Sequence, residues 1–401
     1  MKKQVVVTGL GTVTAAGQDQ ETLWQSLTAG KPLFSPITRF DPAPHRSRLA
    51  AEASSFNAED WMPKPQTRRM DRSTQFALAA ARLALDDSGV DPSENDGRRT
   101  GIMAGNALGG MEFAETQFYN QAVHGPGRVN PHLVVAWFPV ASQGRISIAL
   151  GLKGHSKTFV ADRAGSLHAI GGAFRSIQEG RLDLCLAGGT EAPLSPFIYA
   201  ALERTGQLAQ ERCTPFEPDP TGFLLGERSA FLVMEEREHA VARGATILAE
   251  VKGYAMTTDP EAGVTGLSGP ECLERSVSLC LSDAGLRSKE IGHVLADGAA
   301  TRAGDAAEKA ALVKALGPDG HWTASVPKTV VGEMYGAGGA LQTVAGILSL
   351  RRRTILPLAA GSGAGIPHST VPREAPLSHV LVVGRGLGGL NACLVLGTHP
   401  A

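Results

Sequence analysis

The chain is short of cysteine, of net charge and of long apolar runs. Its five cysteines (Cys185, Cys213, Cys272, Cys280, Cys393) are scattered over 401 residues without metal-ligand spacing. That argues against a zinc site or a disulfide framework and reads as reduced, packing thiols. A formal net charge of -1 gives no electrostatic footprint for nucleic acid or for an anionic membrane surface. No apolar run approaches the ~20 residues of a transmembrane helix. Met1-Lys2-Lys3 runs straight into a strand pattern with no secretory cleavage signal, so a cytoplasmic protein is expected. No segment is low-complexity. What is present is a hydrophobic content of 43%, enough for a continuous core, and 48 glycines, which suit tight turns and close helix packing.

Apolar strands alternate with amphipathic helices from end to end, which predicts an α/β protein. Strands are predicted over 4–8, 100–104, 229–235, 248–257, 293–296, 379–383 and 391–396, and helices over 22–29, 72–88, 271–284, 306–316 and 340–351. The order restarts after the middle, so two similar halves are expected, 1–245 and 246–401, although no residue-level repeat is visible. Residues 359–376, rich in Gly, Ser and Pro, read as a loop.

The most informative stretch runs from Ser156 to Ala192. Residues 156–161 read as a short buried strand, 162–166 as a tight elbow and 167–178 as a helix with small residues (Ala169, Gly171, Gly172, Ala173) for close packing. This unit resembles the nucleophile elbow of the β-ketoacyl synthases, where a cysteine precedes a buried helix whose N-terminus lowers the thiol pKa. The matching position is Arg163, which cannot attack a thioester. The family's two catalytic histidines sit in a His-Gly-Thr loop and a Lys-x-x-x-Gly-His loop. Here these read Asp297-Gly298-Ala299 and Lys328-Thr329-Val330-Val331-Gly332-Glu333. Asp297 and Glu333 stand in the histidine places, and Lys328 is kept.

The resemblance covers essentially the whole chain, with residues 5–17, 70–90, 215–230 and 384–397 carrying it beside the elbow. Loss of all three catalytic residues narrows it to the chain length factors, the non-condensing β subunits of type II polyketide ketosynthases. One departure stands out: that subunit usually carries glutamine at the elbow.

The resemblance implies a thiolase-like fold, five αβαβα layers built from two similar halves. It implies a heterodimer with an active ketosynthase α subunit, an acyl carrier protein bearing phosphopantetheine and a growing polyketide chain, with no cofactor or metal. A helix read over 112–121 sets Phe113, Thr116, Gln117 and Asn120 on one face. In the family this helix lines the end of the acyl tunnel. Leu387 occupies the place of a gating phenylalanine, in a glycine-rich turn between two strands. The apolar segment 132–148 shows no clear helix periodicity. Pro131, His132, Val134, Trp137 and Phe138, with Thr158, Phe159 and Val160 of the elbow strand, are expected at the subunit interface.

Other motifs carry less. Gly9-Leu10-Gly11 lacks the third glycine of a dinucleotide loop and reads as a tight turn. Ser166 lacks the Gly-x-Ser-x-Gly elbow of a hydrolase, and His168 reads as a packing or interface residue. Two rival functions stand beside the main reading. One is a malonyl-carrier decarboxylase using Arg163 or Lys328 as donor, and the other is a homodimeric scaffold or binding protein. An arginine at a helix N-terminus opposes the helix dipole. Arg163 is therefore expected to pair with Glu333 or Asp297, and Lys328 with the remaining acid.

Overall fold

The computed structural model describes residues 2–263, 266–318, 320–359 and 365–399. Ten strands form the central architecture: β1 (Val5–Val13), β2 (Thr100–Asn106), β3 (Lys157–Val160), β4 (Leu184–Glu191), β5 (Arg228–Glu236), β6 (Ala249–Thr258), β7 (His293–Leu295), β8 (Thr323–Ser325), β9 (His379–Gly386) and β10 (Leu390–Gly397). Their order is β8-β7-β9-β10-β6-β1-β5-β4-β2-β3. In each set of five the inner three strands pair antiparallel and the outer two join in parallel. Among the described residues the two sets pair through Val5–Val7 of β1 and Ala249–Val251 of β6.

Helices complete five layers. On one outer face lie α2 (Arg72–Ser88) and, further along, α5 (Ala141–Leu150). On the other lie α7 (Pro270–Ala284) and α8 (Arg302–Leu316). Two helices, α6 (Gly165–Gln178) and α10 (Gly338–Arg352), are buried between the sheets. The remaining helices used below are α1 (Gln20–Ala29), α3 (Met111–His124), α4 (Leu133–Ala136) and α9 (Lys328–Val331). A two-residue side-chain period explains the division of the core. In β5, Leu232 and Met234 join the central cluster while Phe231 and Val233 join the outer one. No helix among the described residues is long and apolar enough to cross a membrane.

A local repeat invisible in the composition appears in the backbone. Ala161 (φ -145°, ψ 44°) and Met334 (φ -144°, ψ 36°) adopt the same conformation. Each is followed by a residue with positive φ, 46° at Asp162 and 40° at Tyr335. Each elbow then ends in Ala-Gly (Ala164-Gly165, Ala337-Gly338) and opens a central helix.

Four expectations need correction. The strand read as buried over 156–161 is β3, at the sheet edge, pairing only with β2 and exposing Lys157 and Val160. Gly9 and Gly11 make no turn: they lie inside β1, where a Cβ would come within 2.2 Å of Ala84 O and 2.0 Å of Ala80 O respectively. The missing side chains let α2 pack directly on the strand. Segment 132–148 contains α4 and most of α5, whose apolar residues lack periodicity because several face outward. Of the loop read over 359–376, residues 360–364 lie outside the described residues, while Arg373–Glu374 pairs with Thr354–Ile355.

Candidate functional site

The elbow is built from a strained residue and a clasp. Asp162 holds positive φ, and its Oδ2 accepts a hydrogen bond from Leu387 N at 2.8 Å. This fastens the β9–β10 turn over the elbow and sets Leu387 beside it. Arg163 follows, buried just ahead of α6. Its Nη1 lies 3.8 Å from Glu333 Oε2 and 3.9 Å from Asp297 Oδ2, and its Nε 3.8 Å from Asp162 Oδ2.

Helix α9 supplies the second cation. Lys328 Nζ donates to Glu333 Oε2 and lies 3.5 Å from Asp297 Oδ1. Gly332, at φ 84°, turns the chain so that Glu333 comes back towards Lys328. Glu333 Oε1 accepts from Met334 N at 2.9 Å and Tyr335 N at 3.0 Å, which ties the cluster to the second elbow. The Asp297 loop is held by Glu308 of α8, which accepts from Asp297 N at 2.7 Å and Gly298 N at 2.9 Å. The four residues expected to meet do meet, with a different division of contacts. Each cation faces both acids, Lys328 takes the direct hydrogen bond, and Arg163 Nη1 stands just outside hydrogen-bonding distance.

Charge states follow from burial and neighbours. Burial opposes ionisation of Asp297 and Glu333, but Lys328 and Arg163 outweigh it and hold both carboxyls below their ordinary range. Burial likewise opposes the charge on Lys328, and Asp297 and Glu333 raise its pKa above the ordinary value. Desolvation of Arg163 is outweighed by Asp297, Glu333 and Asp162.

Sequence reasoning missed a fifth member, Arg228, at the start of β5. It is fully buried, and burial pulls its pKa down to about 9 against the attraction of Glu333. Its Nη2 donates to Gly332 O at 3.3 Å. With Arg163, Asp297, Lys328 and Glu333 it lines a void of about 10 Å³, the room of one water molecule. No sequence signal marks it, because an arginine at a strand end reads as a surface residue.

This arrangement holds charge and offers no nucleophile. Burial pushes the nearby Cys213 thiol up to about 12. Ser166 Oγ accepts from Ala340 N at 2.8 Å, capping the first turn of α10. His168 Nδ1 lies 3.0 Å from Tyr254 Oη, and burial drops its pKa to about 4. A cavity of about 350 Å³ lined by Leu387, Arg385, Ser268 and Thr301 reaches Arg163 from outside.

The face expected to line a tunnel divides in the structure. Gln117 is buried, its Oε1 accepting from Asn130 N at 2.8 Å. Phe113 and Asn120 are half-buried, and Thr116 is exposed with its hydroxyl donating to Glu112 O at 3.2 Å. The helix continues three residues past its expected end, to His124.

Several of the residues expected at an interface are apolar and exposed. Val134 is 69% exposed, Phe138 51% and Val160 57%, and Ile148 of α5 joins them at 79%. Trp137 stacks on Phe138 and meets Phe118 of α3 edge-on at 5.9 Å. Pro131 is exposed; His132 is half-buried and donates from its backbone to Asn130 Oδ1. Thr158 and Phe159 are half-buried, Phe159 lying under Lys157 Nζ at 5.0 Å.

Comparison with known proteins fits this geometry. Residues 2–240 match the β-ketoacyl synthase N-terminal domain, and residues 248–361 the β-ketoacyl synthase C-terminal domain. The chain is 36% identical over 407 aligned positions to the tetracenomycin polyketide synthase ketoacyl synthase beta subunit of Streptomyces glaucescens, covering 98% of each. It is 34% identical to 3-oxoacyl-(acyl-carrier-protein) synthase 2 of Staphylococcus aureus (strain COL), covering 100% of this chain and 99% of that protein. Among solved structures, the ishigamide ketosynthase/chain length factor superimposes over the full length of both chains with a TM-score of 0.93 at 30% identity. The paired five-stranded sheets, the duplicated elbow and the two domain matches place this chain in the β-ketoacyl synthase family.

Proposed function

We propose that this chain is the non-condensing β subunit, or chain length factor, of a type II polyketide ketosynthase heterodimer. The observation that carries this reading is the charge cluster. Where a condensing subunit needs a thiolate and two imidazoles, Arg163, Asp297 and Glu333 hold one another with Lys328. An active ketosynthase α subunit would perform the decarboxylative condensation on units delivered by an acyl carrier protein. This chain would close the acyl tunnel and limit product length. The domain division is proposed at residues 245/246 and the setting as cytoplasmic. Of the two donors the decarboxylase alternative could use, Lys328 is already bound to Glu333 and Arg163 is held among Asp162, Asp297 and Glu333, which disfavours that reading.

Purified chain given acyl- and malonyl-carrier protein should form no β-ketoacyl product. Condensation by the chain alone, lost when one of its own residues is substituted, would overturn the reading. With the active partner present, Asn120→Phe should shorten the products, because a ring replaces an amide on the half-buried side of α3. Phe113→Ala should lengthen or scatter them. Unchanged products from both variants in an intact complex would remove α3 from the tunnel.

A further inference from the structure

The start of α3 is clamped from two sides, and one clamp belongs to the exposed apolar segment. The helix has no cap of its own, since its N-cap residue is Gly110. A residue of another helix supplies it. Asp71 is buried and caps two helices with one carboxylate: Oδ1 accepts from Ser73 N at 2.8 Å and Ser73 Oγ at 2.6 Å, at the start of α2, while Oδ2 accepts from Phe113 N at 3.0 Å, at the start of α3. Helix α2 is packed against β1 and β5, so this end of the clamp is fixed to the core.

The opposite clamp is the segment after α4. Gly110 N donates to Trp137 O at 3.1 Å, and a Cβ on Gly110 would fall 2.0 Å from Ala136 O and 3.1 Å from Asp71 Cβ. Two turns further along α3, Phe118 meets the Trp137 ring. The exposed Val134, Trp137 and Phe138 are therefore bonded, through one backbone hydrogen bond and one ring contact, to the helix that carries Phe113 and Asn120.

We infer that Asp71 is a positioning residue that anchors the start of α3 while Gly110 and Phe118 couple that helix to the partner-facing segment, so that docking on Val134, Trp137 and Phe138 sets where the tunnel ends. This rests on the reading of α3 as tunnel wall. Displacing Trp137 displaces Gly110, and Asp71 is the fixed point against which the first turn of α3 moves. A packed contact of this kind transmits small shifts because a dense interior has little slack.

The test uses the complex coexpressed with its active ketosynthase partner. In Asp71→Asn the amide must turn its NH2 group towards one set of donors. Ser73 N–H and Phe113 N–H are both fixed donors, so the single amide oxygen must release one end of the clamp. Gly110→Ala instead forces α3 away from Ala136. Both variants should broaden and shift the product-length distribution, a readout that a loss of protein alone does not move. In the wild-type chain, amide exchange in residues 111–118 should slow when the partner binds. Wild-type product lengths from both variants in intact complexes, or exchange unaltered by the partner, would overturn the coupling. Asn120→Phe separates the two levels. If it alters the products while Asp71→Asn and Gly110→Ala do not, the coupling fails and the tunnel wall stands. If it too leaves them unchanged, α3 is not the tunnel wall.

Discussion

Glu333→Ala should destabilise the protein by about 3–5 kcal/mol, the size of effect expected when one partner of a buried ion pair is removed. The carboxylate is 1% exposed and serves Lys328, Arg163 and the N–H groups of Met334 and Tyr335 at once. Alanine removes a counter-charge shared by the buried Lys328, Arg163 and Arg228 and strands two backbone donors. Arg163→Gln should cost far less, within about 1 kcal/mol, because Arg163 Nη1 makes no hydrogen bond and a glutamine leaves the Lys328–Glu333 bond in place.

The pH dependence has a definite sign. Glu333 has its folded pKa below the ordinary 4.5. Its contribution is complete above that value and is lost as pH falls through the lower folded pKa. Lys328 is raised above 10.5, so its contribution is complete below that pH and is lost as pH rises through the folded pKa. Denaturant melts of wild type and Glu333→Ala should therefore differ most at neutral pH and converge in acid. Equal stability at pH 7, or Arg163→Gln costing more than Glu333→Ala, would show that the cluster does not hold the site.

Val134→Asp or Val160→Asp should each weaken association with the partner by about 2–4 kcal/mol, or roughly 30- to 1000-fold, the range of a desolvated interface anchor. Both side chains are more than half exposed in the isolated chain, so the substitutions remove little internal packing. In a complex each would bury an unpaired carboxylate. Val160 also sits on β3, whose free edge is an open row of backbone donors and acceptors. The same variants should make the isolated chain more soluble, since they break an exposed apolar patch. Those opposite signs separate an interface from a folding defect. Copurification of either variant with the partner at wild-type affinity would remove this face from the interface.

Legibility followed how local the physical cause was. Helix 72–88 was fully readable because its Asp71 cap, its apolar period and Gly89 lie in one stretch of chain. Strand ends slipped by one to five residues, as at β1, where glycines flattened the hydrophobic pattern yet let the strand run on under α2. The edge position of β3 could not be read from its own residues, although the family resemblance put Thr158, Phe159 and Val160 at an interface. An edge strand awaiting a partner and a buried strand carry the same apolar residues, and only sheet order distinguishes them.

The sequence by itself determined which side chains stand at the elbow and in the two loops that face it. Arg163, Asp297 and Glu333 stand in recognisable local settings, and side-chain identity alone excludes a thiolate and two imidazoles there. It also determined that a buried arginine would need carboxylates, because a guanidinium cannot shed its charge. Tertiary structure decided which carboxylate meets which cation. Residues 163, 297 and 328–333 come from three separate segments, and Gly332 and the duplicated elbow set their distances. It alone brought in Arg228 from β5 and the double cap at Asp71. Contacts between segments far apart in the chain depend on how layers pack, and no local pattern of residues encodes that distance.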